Sequence, residues 1–324
     1  MLFEFNLDMA VFLSGPFGKV PYNRKKIMKN ILITGGSGLI GKEITQILEQ
    51  KGYKVAWLSR SPDKNKQKSF FWDVKEQKMD ESALLWCDSI IHLAGAGVAE
   101  KRWTDERKQE ILSSRVMSTL LLYDQLKSMK KKPESIIASS AVGYYGMDTQ
   151  DELQHEGNPP GNDFLADVVK KWEAESEKFS TLGIRTVKLR IGIVLAKGGG
   201  ALQEMLKPPV TAPLGNGRQY MSWIHIQDLA EMFVYAMENN GIQGEYNAVG
   251  PVPVSNTILT LKAAKAAGKP FINIGVPGFG LRLLLGEMAD MVLGGNRVCN
   301  DKIQSSGFTY RFPLLDMALA DIYK

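Results

Sequence analysis

The sequence predicts an α/β protein with a doubly wound, parallel β-sheet and a smaller C-terminal lobe. Apolar strand signals alternate with amphipathic helix signals up to about residue 191, which is the order that a doubly wound sheet requires. The first strand also runs directly into three glycines and a helix, over Ile31-Leu32-Ile33-Thr34-Gly35-Gly36-Ser37-Gly38-Leu39-Ile40-Gly41. The length of 324 residues suits one such domain with an added lobe.

The three glycines after the first strand have the spacing of a dinucleotide-binding loop. Gly35 allows the tight turn, Gly38 lets the backbone approach a pyrophosphate, and Gly41 lets the helix pack closely on its strand. The N–H groups of the first helical turn then face the phosphates. We therefore expect Gly35, Gly38, Leu39, Ile40 and Gly41 to bind a dinucleotide. The alternative is a tight turn with a purely structural role.

A second phosphate-binding motif overlaps these residues. Residues 36–42 fit the phosphate loop of a nucleoside triphosphatase as far as Lys42. That motif needs Ser or Thr next to hold Mg²⁺, and Glu43 would instead put a negative charge beside the phosphates. The dinucleotide interpretation is favoured for this reason.

The end of the second predicted strand, at 54–58, indicates which dinucleotide binds. Enzymes that use NAD usually carry an acid there, which accepts from the ribose 2′-hydroxyl. This chain has Ser59 and Arg60 instead. A guanidinium pairs with a 2′-phosphate and a hydroxyl can donate to it, so the sequence predicts NADP(H). The alternative is that Arg60 is an ordinary exposed cation.

The other elements of the sheet follow in order. A strand at 70–73 and a helix at 81–85 precede an apolar strand that begins at Ser89 and ends in small residues. Because small side chains let the backbone approach a cofactor, we expect Ala94 and Gly95 to contact it. The later predicted elements, which bring the parallel strands to six, are a helix at 104–129, a strand at 135–139, a helix at 164–180 and a strand at 186–191.

These elements predict how the chain is organised. Residues 28–195 are expected to form an NADP-binding domain, and residues 225–250 to return to its sheet. Residues 196–224 and 251–324 are expected to form the lobe that binds substrate.

Residues 1–27 show no helical or strand period and do not look like a signal peptide, because acids stand where positive charge is needed. We expect a leader that is not native, with the natural start at Met28. The alternative is an extension that packs its phenylalanines on the body, namely Phe3, Phe5, Phe12 and Phe17.

Composition excludes several classes of function. The net charge is +5, but the residues before Met28 carry +2 of it and the rest shows no basic stripe. We therefore expect no nucleic-acid or membrane partner. Two distant cysteines, Cys87 and Cys299, fit a reduced, cytoplasmic compartment, and the three histidines do not suggest a metal site. The sequence does not indicate the oligomeric state.

Several further segments resemble one family. With the glycine loop, Leu93-Ala94-Gly95 and Ser139-Ser140-Ala141-Val142-Gly143-Tyr144-Tyr145-Gly146 are similar to an extended short-chain dehydrogenase of the Rossmann type. Five other segments resemble the YfcH-like atypical branch, whose members are described as nucleoside-diphosphate-sugar epimerases. They are Arg102-Trp103-Thr104, Ser114-Arg115-Val116, Gly199-Gly200-Ala201-Leu202, Ser222-Trp223-Ile224-His225 and Gly307-Phe308. The resemblance runs from Met28 to the C-terminus. It implies a small terminal domain of unsettled function and a small-molecule substrate such as a sugar nucleotide.

One departure from that resemblance affects the chemistry. The wider superfamily uses Tyr-x-x-x-Lys on the helix after the serine strand, where the lysine lowers the pKa of the phenol that transfers the proton. Phe164 and Val168 stand in those places here. Tyr123 and Lys127 have the right spacing, but they lie on the preceding helix, where a solvated or packing pair is expected.

The remaining catalytic candidates are Tyr144, Ser140 and Arg115. The two hydroxyls follow a strand whose carboxyl end faces the ligand crevice. The alternative is that they close and cap a turn. The resemblance places Arg115 where related enzymes have an asparagine, so it is expected to address an anionic group; the alternative is a buried arginine paired with an acid.

The substrate side is expected from the second half of the chain. Extended relatives use this region for the nucleotide part of a sugar nucleotide, which gives Arg218 as a phosphate ligand and Tyr220 as a further substrate residue. The alternative is that the nearby Trp223, His225 and Asp228 only lock a hinge.

Two classes of function follow from these observations. The first is an NADP(H)-dependent oxidoreductase or sugar-nucleotide epimerase-like enzyme that acts on a small polar substrate. The second is an NADPH-binding sensor without turnover, which the missing Tyr and Lys permit. A pocket in which Arg115 and Tyr144 face the nicotinamide would favour the enzyme, and an apolar pocket would favour the sensor.

Overall fold

The structure is a computed structural model that describes residues 29–64 and 66–324. The leader expected over residues 1–27 lies outside the described residues. The strands of the described part are β1 (Asn30–Thr34), β2 (Lys54–Ser59), β3 (Ser69–Asp73), β4 (Lys78–Met79), β5 (Ser89–His92), β6 (Ser135–Ala141), β7 (Leu153–Gln154), β8 (Arg185–Ile191), β9 (Ile193–Ala196), β10 (Tyr220–Met221), β11 (Trp223–His225), β12 (Gly244–Ala248), β13 (Val254–Ser255) and β14 (Arg297–Val298).

The α-helices of the same part of the chain alternate with these strands. They are α1 (Leu39–Gln50), α2 (Ser82–Trp86), α3 (Asp105–Ser128), α4 (Phe164–Glu177), α5 (Gly200–Met205), α6 (Ile226–Glu238), α7 (Asn256–Ala266), α8 (Gly278–Leu285), α9 (Met288–Leu293), α10 (Asp301–Ser305) and α11 (Leu315–Ile322).

One large sheet organises residues 30–248. Its strand order is β12-β8-β6-β5-β1-β2-β3-β4, and every neighbouring pair is parallel except β3 with β4. The chain moves one way from β1 to β2 and the other way to β5, so the order reverses beside β1. Ligands of open α/β sheets bind at such a switch point, outside the carboxyl ends of the strands. The predicted doubly wound α/β fold is confirmed.

Both faces of this sheet are covered, as the apolar runs of its strands require. Ile31 and Ile33 of β1 pack with α1 and α6 on one face, and Leu32 packs with α3 on the other. Smaller elements after residue 192 form a separate apolar cluster around Trp223 and Leu259. This cluster includes residues of β9, β11, α5, α7 and α11, and it gives the smaller C-terminal region.

None of the helices in the described part of the chain combines the length and hydropathy that a bilayer span requires. Among the same residues, His, Cys, Asp and Glu side chains do not gather in a group of three that could hold a metal ion.

A buried polar relay ties β1, β5 and α3 together at the switch point. The hydroxyl oxygen of Thr34 accepts the N–H groups of Leu93 and Ala94 at 3.0 and 3.1 Å, so its own proton goes to His92 Nδ1 at 2.7 Å. His92 then carries its proton on Nε2 and donates to Thr119 Oγ1 at 3.0 Å. Thr119 in turn donates to the carbonyl of Arg115 at 2.8 Å. The relay requires a neutral imidazole.

Acid should destabilise the fold through this imidazole. Complete burial lowers the pKa of His92 from 6.5 to about 4, so between these values the unfolded chain binds a proton that the folded protein does not. The free energy of unfolding should therefore fall as pH drops through this window, by about 1.4 kcal/mol per pH unit for this residue, and level off below it.

Urea unfolding at about pH 5 and about pH 7 measures this slope. His92→Asn should be less stable than the wild type at both values, yet lose less stability between them. Part of the pH dependence should remain in this variant, because burial also lowers the pKa of His225 to about 4. The exposed His155 gives the control, because His155→Asn should keep the wild-type slope. An unchanged slope in His92→Asn would contradict the prediction.

Candidate functional site

The turn between β1 and α1 forms a cradle of backbone N–H groups. Gly35 has φ +69°, in the left-handed region that favours glycine, and the N–H of Gly38 donates to its carbonyl at 3.0 Å. Helix α1 begins after Gly38 with no side-chain cap and no acid in its first turn. Its first N–H groups, including those of Leu39 and Ile40, therefore suit an anionic ligand such as a pyrophosphate.

Gly38 and Gly41 have different surroundings in this cradle. A Cβ atom at Gly41 would lie 2.5 Å from the carbonyl oxygen of Gly35 and 2.6 Å from Gly36 Cα, so the close packing of helix on turn requires glycine there. A Cβ atom at Gly38 would meet only the Gly35 oxygen, at 3.2 Å. The fold needs Gly41, whereas Gly38 leaves space on the side where a ligand would lie.

The end of β2 presents an exposed cation. Arg60 is exposed and forms no ion pair with any described residue. The hydroxyl oxygen of Ser59 accepts the N–H of Ser61 at 3.1 Å, which leaves its proton available for a ligand. Both side chains are compatible with a 2′-phosphate.

Small residues follow β5 beside the cradle. Ala94 is held by its N–H bond to Thr34, and a Cβ atom at Gly35 would lie 3.2 Å from the backbone of Leu93. Gly95 is exposed, and a Cβ atom there would lie 3.2 Å from the side chain of Arg115. Because Gly35 and Gly95 have no side chains, the glycine turn, this loop and Arg115 can lie close together.

A cavity of about 230 Å³ lies next to this loop, at the carboxyl ends of β6 and β8. Most of its lining is apolar. Among the described residues that line it, Arg115 alone is charged and Tyr220 has the other titratable side chain. The lining consists of Val98, Arg115, Ala141, Val142, Gly143, Gly146, Met147, Leu165, Val168, Val169, Trp172, Gly192, Ile193, Tyr220, Met221, Ser222, Met291, Gly294, Gly295 and Asn296.

Arg115 is held by neutral groups. Its Nη1 donates to the carbonyls of Ala96 and Ile111 at 3.0 and 2.9 Å, and the guanidinium carbon lies 5.2 Å from the ring centre of Trp172. Burial lowers the pKa of Arg115 to about 10, and the positive charge of Arg107 adds to this effect. The alternative of a buried arginine paired with an acid is wrong for the described residues, since none of their carboxylates pairs with it.

Helix α4 presents an apolar face where the superfamily carries its Tyr and Lys. Phe164 packs edge-on against Trp103, with ring centres 5.0 Å apart, and Val168 lines the cavity. The buried carboxylate of α4, that of Glu173, lies further along the helix. The Glu173 carboxylate accepts from Arg190 Nε and Nη2, each at 2.8 Å, and from the Ser140 hydroxyl at 2.5 Å.

This buried network occupies the hydroxyls that follow β6. Burial alone would lower the pKa of the Arg190 guanidinium, but Glu173 outweighs that effect and raises it. Tyr145 donates to Asn247 at 2.7 Å and accepts from Arg190 at 3.1 Å. Ser140 is 3% exposed and does not line the cavity, which argues against the catalytic role expected of it.

Tyr144 also lies outside the cavity lining. Its ring covers the guanidinium of Arg190, with 3.5 Å between the guanidinium carbon and the ring centre, and packs edge-on against Tyr145. The sequence expected this phenol to face the substrate. In the structure its ring covers a buried ion pair, so the geometry of the cavity does not support that expectation.

The two predicted substrate residues separate in the structure. Arg218 is exposed in a turn, where its N–H donates to the side chain of Asn216 at 2.9 Å, and it does not line the cavity. Tyr220, two residues later on β10, does line it. The expectation of a phosphate ligand at Arg218 therefore finds no support in the cavity.

Asn296 is a site residue that the sequence did not reveal. Its Nδ2 donates to the carbonyls of Val142 and Gly146 at 3.1 and 2.8 Å, which fixes the turn after β6. Ser222, which the sequence quoted only as part of a motif, donates to the Asn296 carbonyl at 2.7 Å and accepts the N–H of Val298 at 3.0 Å. No local pattern marks Asn296, because its partners lie about 150 residues earlier.

Two family models match separate parts of the chain. Residues 31–167 match the NAD dependent epimerase/dehydratase family, and residues 276–322 match a domain of unknown function, DUF1731. An epimerase family protein of Staphylococcus aureus (strain NCTC 8325 / PS 47) is 35% identical over 301 residues, which cover 92% of this chain and 100% of that protein. The chain belongs to the epimerase family. The family resemblance expected from the sequence is confirmed.

Solved structures agree with this membership. The crystal structure of human epimerase family protein SDR39U1 (isoform 2) with NADPH is 30% identical and has a TM-score of 0.81, covering 91% of this chain and 99% of that one. UDP-N-acetylglucosamine 4-epimerase from Bacillus cereus has a TM-score of 0.73 at 16% identity and covers 91% of this chain and 98% of its own, which shows a shared fold alone. This epimerase family member therefore has an NAD(P)-binding, Rossmann-like fold.

Two glycine substitutions in the cradle should distinguish an effect on stability from an effect on cofactor binding. Gly41→Ala forces a methyl group against the Gly35 backbone, so we expect a loss of about 2 kcal/mol or more in the free energy of unfolding. Gly38→Ala should keep most of the stability but weaken NADPH binding at least about tenfold if the cradle holds the pyrophosphate, because the methyl group would then enter its space. Thermal unfolding and calorimetric titration with NADPH measure both effects. Wild-type affinity in Gly38→Ala would place the cofactor elsewhere.

Proposed function

We propose that this chain is an NADP(H)-dependent oxidoreductase that transfers hydride between the cofactor and a small polar substrate held in the cavity. The observation that carries the proposal is the adjacency of cradle and cavity: Gly95 follows β5 at the cradle and lies against Arg115, which lines the cavity. A cofactor held by the cradle would extend along the carboxyl edge of the sheet towards that cavity. The human relative with NADPH supports the choice of cofactor.

The end of β2 supports NADP(H) over NAD(H). Arg60 and Ser59 offer donors at the position of the ribose 2′ substituent, and this position has no carboxylate to accept from a 2′-hydroxyl. The nearby acid, Asp63, lies in the short 3₁₀ turn Pro62–Lys64, beyond these residues.

The cavity supports a small substrate over a sugar nucleotide. Its volume of about 230 Å³ is below the range of pockets that enclose drug-sized ligands. A sugar nucleotide also needs ligands for a diphosphate, and Arg218 does not line the cavity. Sugar-nucleotide epimerisation is therefore the second form of the enzyme proposal, supported by the family name and by the shared fold.

Tyr220 is the proton donor that this proposal favours. Hydride transfer to a carbonyl needs a proton for the developing alkoxide. Tyr220 is the phenol of the described lining, whereas the ring of Tyr144 covers Arg190 and the hydroxyl of Ser222 is bonded to Asn296. Arg115 would stabilise negative charge in the same cavity.

A specific observation also favours a second function. The α4 face at Phe164 and Val168 is apolar, so the group that moves the proton in related enzymes is absent from its usual place. An NADPH-binding sensor without turnover needs no such group. Two screens test the choice: carbonyl compounds for oxidation of NADPH, and sugar nucleotides for reduction of NADP⁺ or for an epimerised product. Tight NADPH binding without reaction in either screen would favour the sensor.

Arg60→Ala should reveal which cofactor the cradle prefers. Loss of a charge-assisted pair should weaken NADPH binding by about 1.5 to 3 kcal/mol and leave NADH binding almost unchanged, because NADH lacks the 2′-phosphate. Calorimetric titration with both cofactors measures the difference. Lys64→Ala removes a neighbouring exposed charge and serves as the control. An equal loss for NADPH and NADH would remove Arg60 from the phosphate site.

Two phenylalanine variants should identify the proton donor once a substrate is found. Tyr220→Phe removes one hydroxyl from the cavity, and we expect the chemical step to slow by about 10² to 10⁴. Tyr144→Phe keeps the ring that covers Arg190 and should leave the step near the wild-type rate. Single-turnover oxidation of NADPH measures both variants. The reverse result would return the role to Tyr144, as the sequence alone suggested.

A further inference from the structure

Arg115 places a positive charge in the cavity, and no carboxylate of the described residues pairs with it. Glu110, the acid nearest to it along the chain, is paired with Arg107, and so is Glu100. The two groups that Arg115 does contact through hydrogen bonds are the carbonyls of Ala96 and Ile111, which solvate a cation but do not neutralise it. A charge held this way in an apolar lining is costly unless a ligand supplies the opposite charge.

The hydrogen bonds of this guanidinium leave one edge free. Nη1 has two protons, and the carbonyls of Ala96 and Ile111 take both. Nε and Nη2 carry three more protons that have no acceptor among the described residues, and neither nitrogen is sealed off by surrounding atoms. These two nitrogens lie along one edge of the planar group, which matches the spacing of two carboxylate oxygens.

We propose that the cavity binds its substrate through a carboxylate, which accepts parallel hydrogen bonds from Nε and Nη2 of Arg115. The rest of the substrate then packs against apolar side chains of α4, among them Leu165, Val168 and Trp172. This inference rests on the proposed function, because it takes the cavity as the substrate site. It narrows the substrate to small carboxylic acids that also carry a carbonyl or hydroxyl group.

The charges of the lining favour a carboxylate over a phosphate. A single cation balances a monoanion, whereas a phosphate dianion would leave a second charge in an apolar enclosure. Arg115 keeps its own charge at neutral pH, since burial and Arg107 lower its pKa only to about 10. The phosphates of a dinucleotide already have the N–H groups of the cradle and Arg60.

Binding of simple acids tests the proposal without any need for turnover. The probes are acetate, butyrate, benzoate and phenylacetate, each paired with its neutral amide and measured by ligand-observed NMR on the protein with and without NADPH. At least one acid should bind about 10- to 100-fold more tightly than its amide, which is the range that a charge-assisted pair supplies. If no acid binds more tightly than its amide, the proposal is overturned.

Substitutions assign that preference to Arg115. Arg115→Gln should abolish the difference between acid and amide, and Arg115→Lys should restore part of it, because an ammonium keeps the charge but not the two-pronged geometry. Arg311→Gln removes an exposed arginine outside the lining and should bind the acids as the wild type does. An unchanged preference in Arg115→Gln would overturn the proposal.

Titrations with and without NADPH distinguish a failure of this inference from a failure of the proposed function. If NADPH fails to bind, the proposed function fails, yet the acid and amide titrations without cofactor still report on Arg115. Two results would show that Arg115 binds phosphate and that the carboxylate proposal is wrong. One is that inorganic phosphate binds more tightly than every acid. The other is that Arg115→Gln loses NADPH affinity while the acids compete with NADPH. Acids that bind alongside NADPH would support both.

Discussion

The site depends on the hydrogen bonds that the neutral imidazole of His92 forms with Thr34 and Thr119. Through Thr34 it holds the N–H groups of Leu93 and Ala94 against the glycine turn, and through Thr119 it fixes the carbonyl of Arg115 on α3. Three elements that are far apart in sequence thus share one chain of hydrogen bonds in a fully buried place. Since a protonated ring would have no acceptor at Nδ1, the geometry of cradle and cavity is linked to the charge state of one residue.

A second buried network explains why the usual catalytic hydroxyls are not available. Arg190 on β8 needs an acid, and Glu173 on α4 supplies it, which also occupies Ser140. Tyr144 and Tyr145 then cover the pair with their rings. A buried ion pair must keep its partners, because loss of one leaves an uncompensated charge at a cost of about 3 to 5 kcal/mol. These groups form a buried network outside the cavity lining, and the proposed chemistry uses parts of the lining instead.

The C-terminal segment supplies one of those parts. Residues 276–322, which match a domain of unknown function, contribute Met291 and Asn296 to the lining, and Asn296 also ties down the turn after β6. The cavity is therefore shared between the doubly wound sheet and this segment. That arrangement gives the segment a physical role, because without it the turn at Val142 would lose two hydrogen bonds and the cavity one wall.

The sequence by itself determined the sheet, the cradle and their order along the chain, because strand and helix periods and the three glycines are local signals. It also marked Arg60 through its place after a predicted strand, and Arg115 and Tyr220 through the resemblance to a family. Only the tertiary structure decided which side chains share the cavity. It moved Tyr144 and Ser140 onto a buried ion pair and brought in Asn296 from the far end of the chain. Such contacts depend on packing between distant segments, and no local pattern records them.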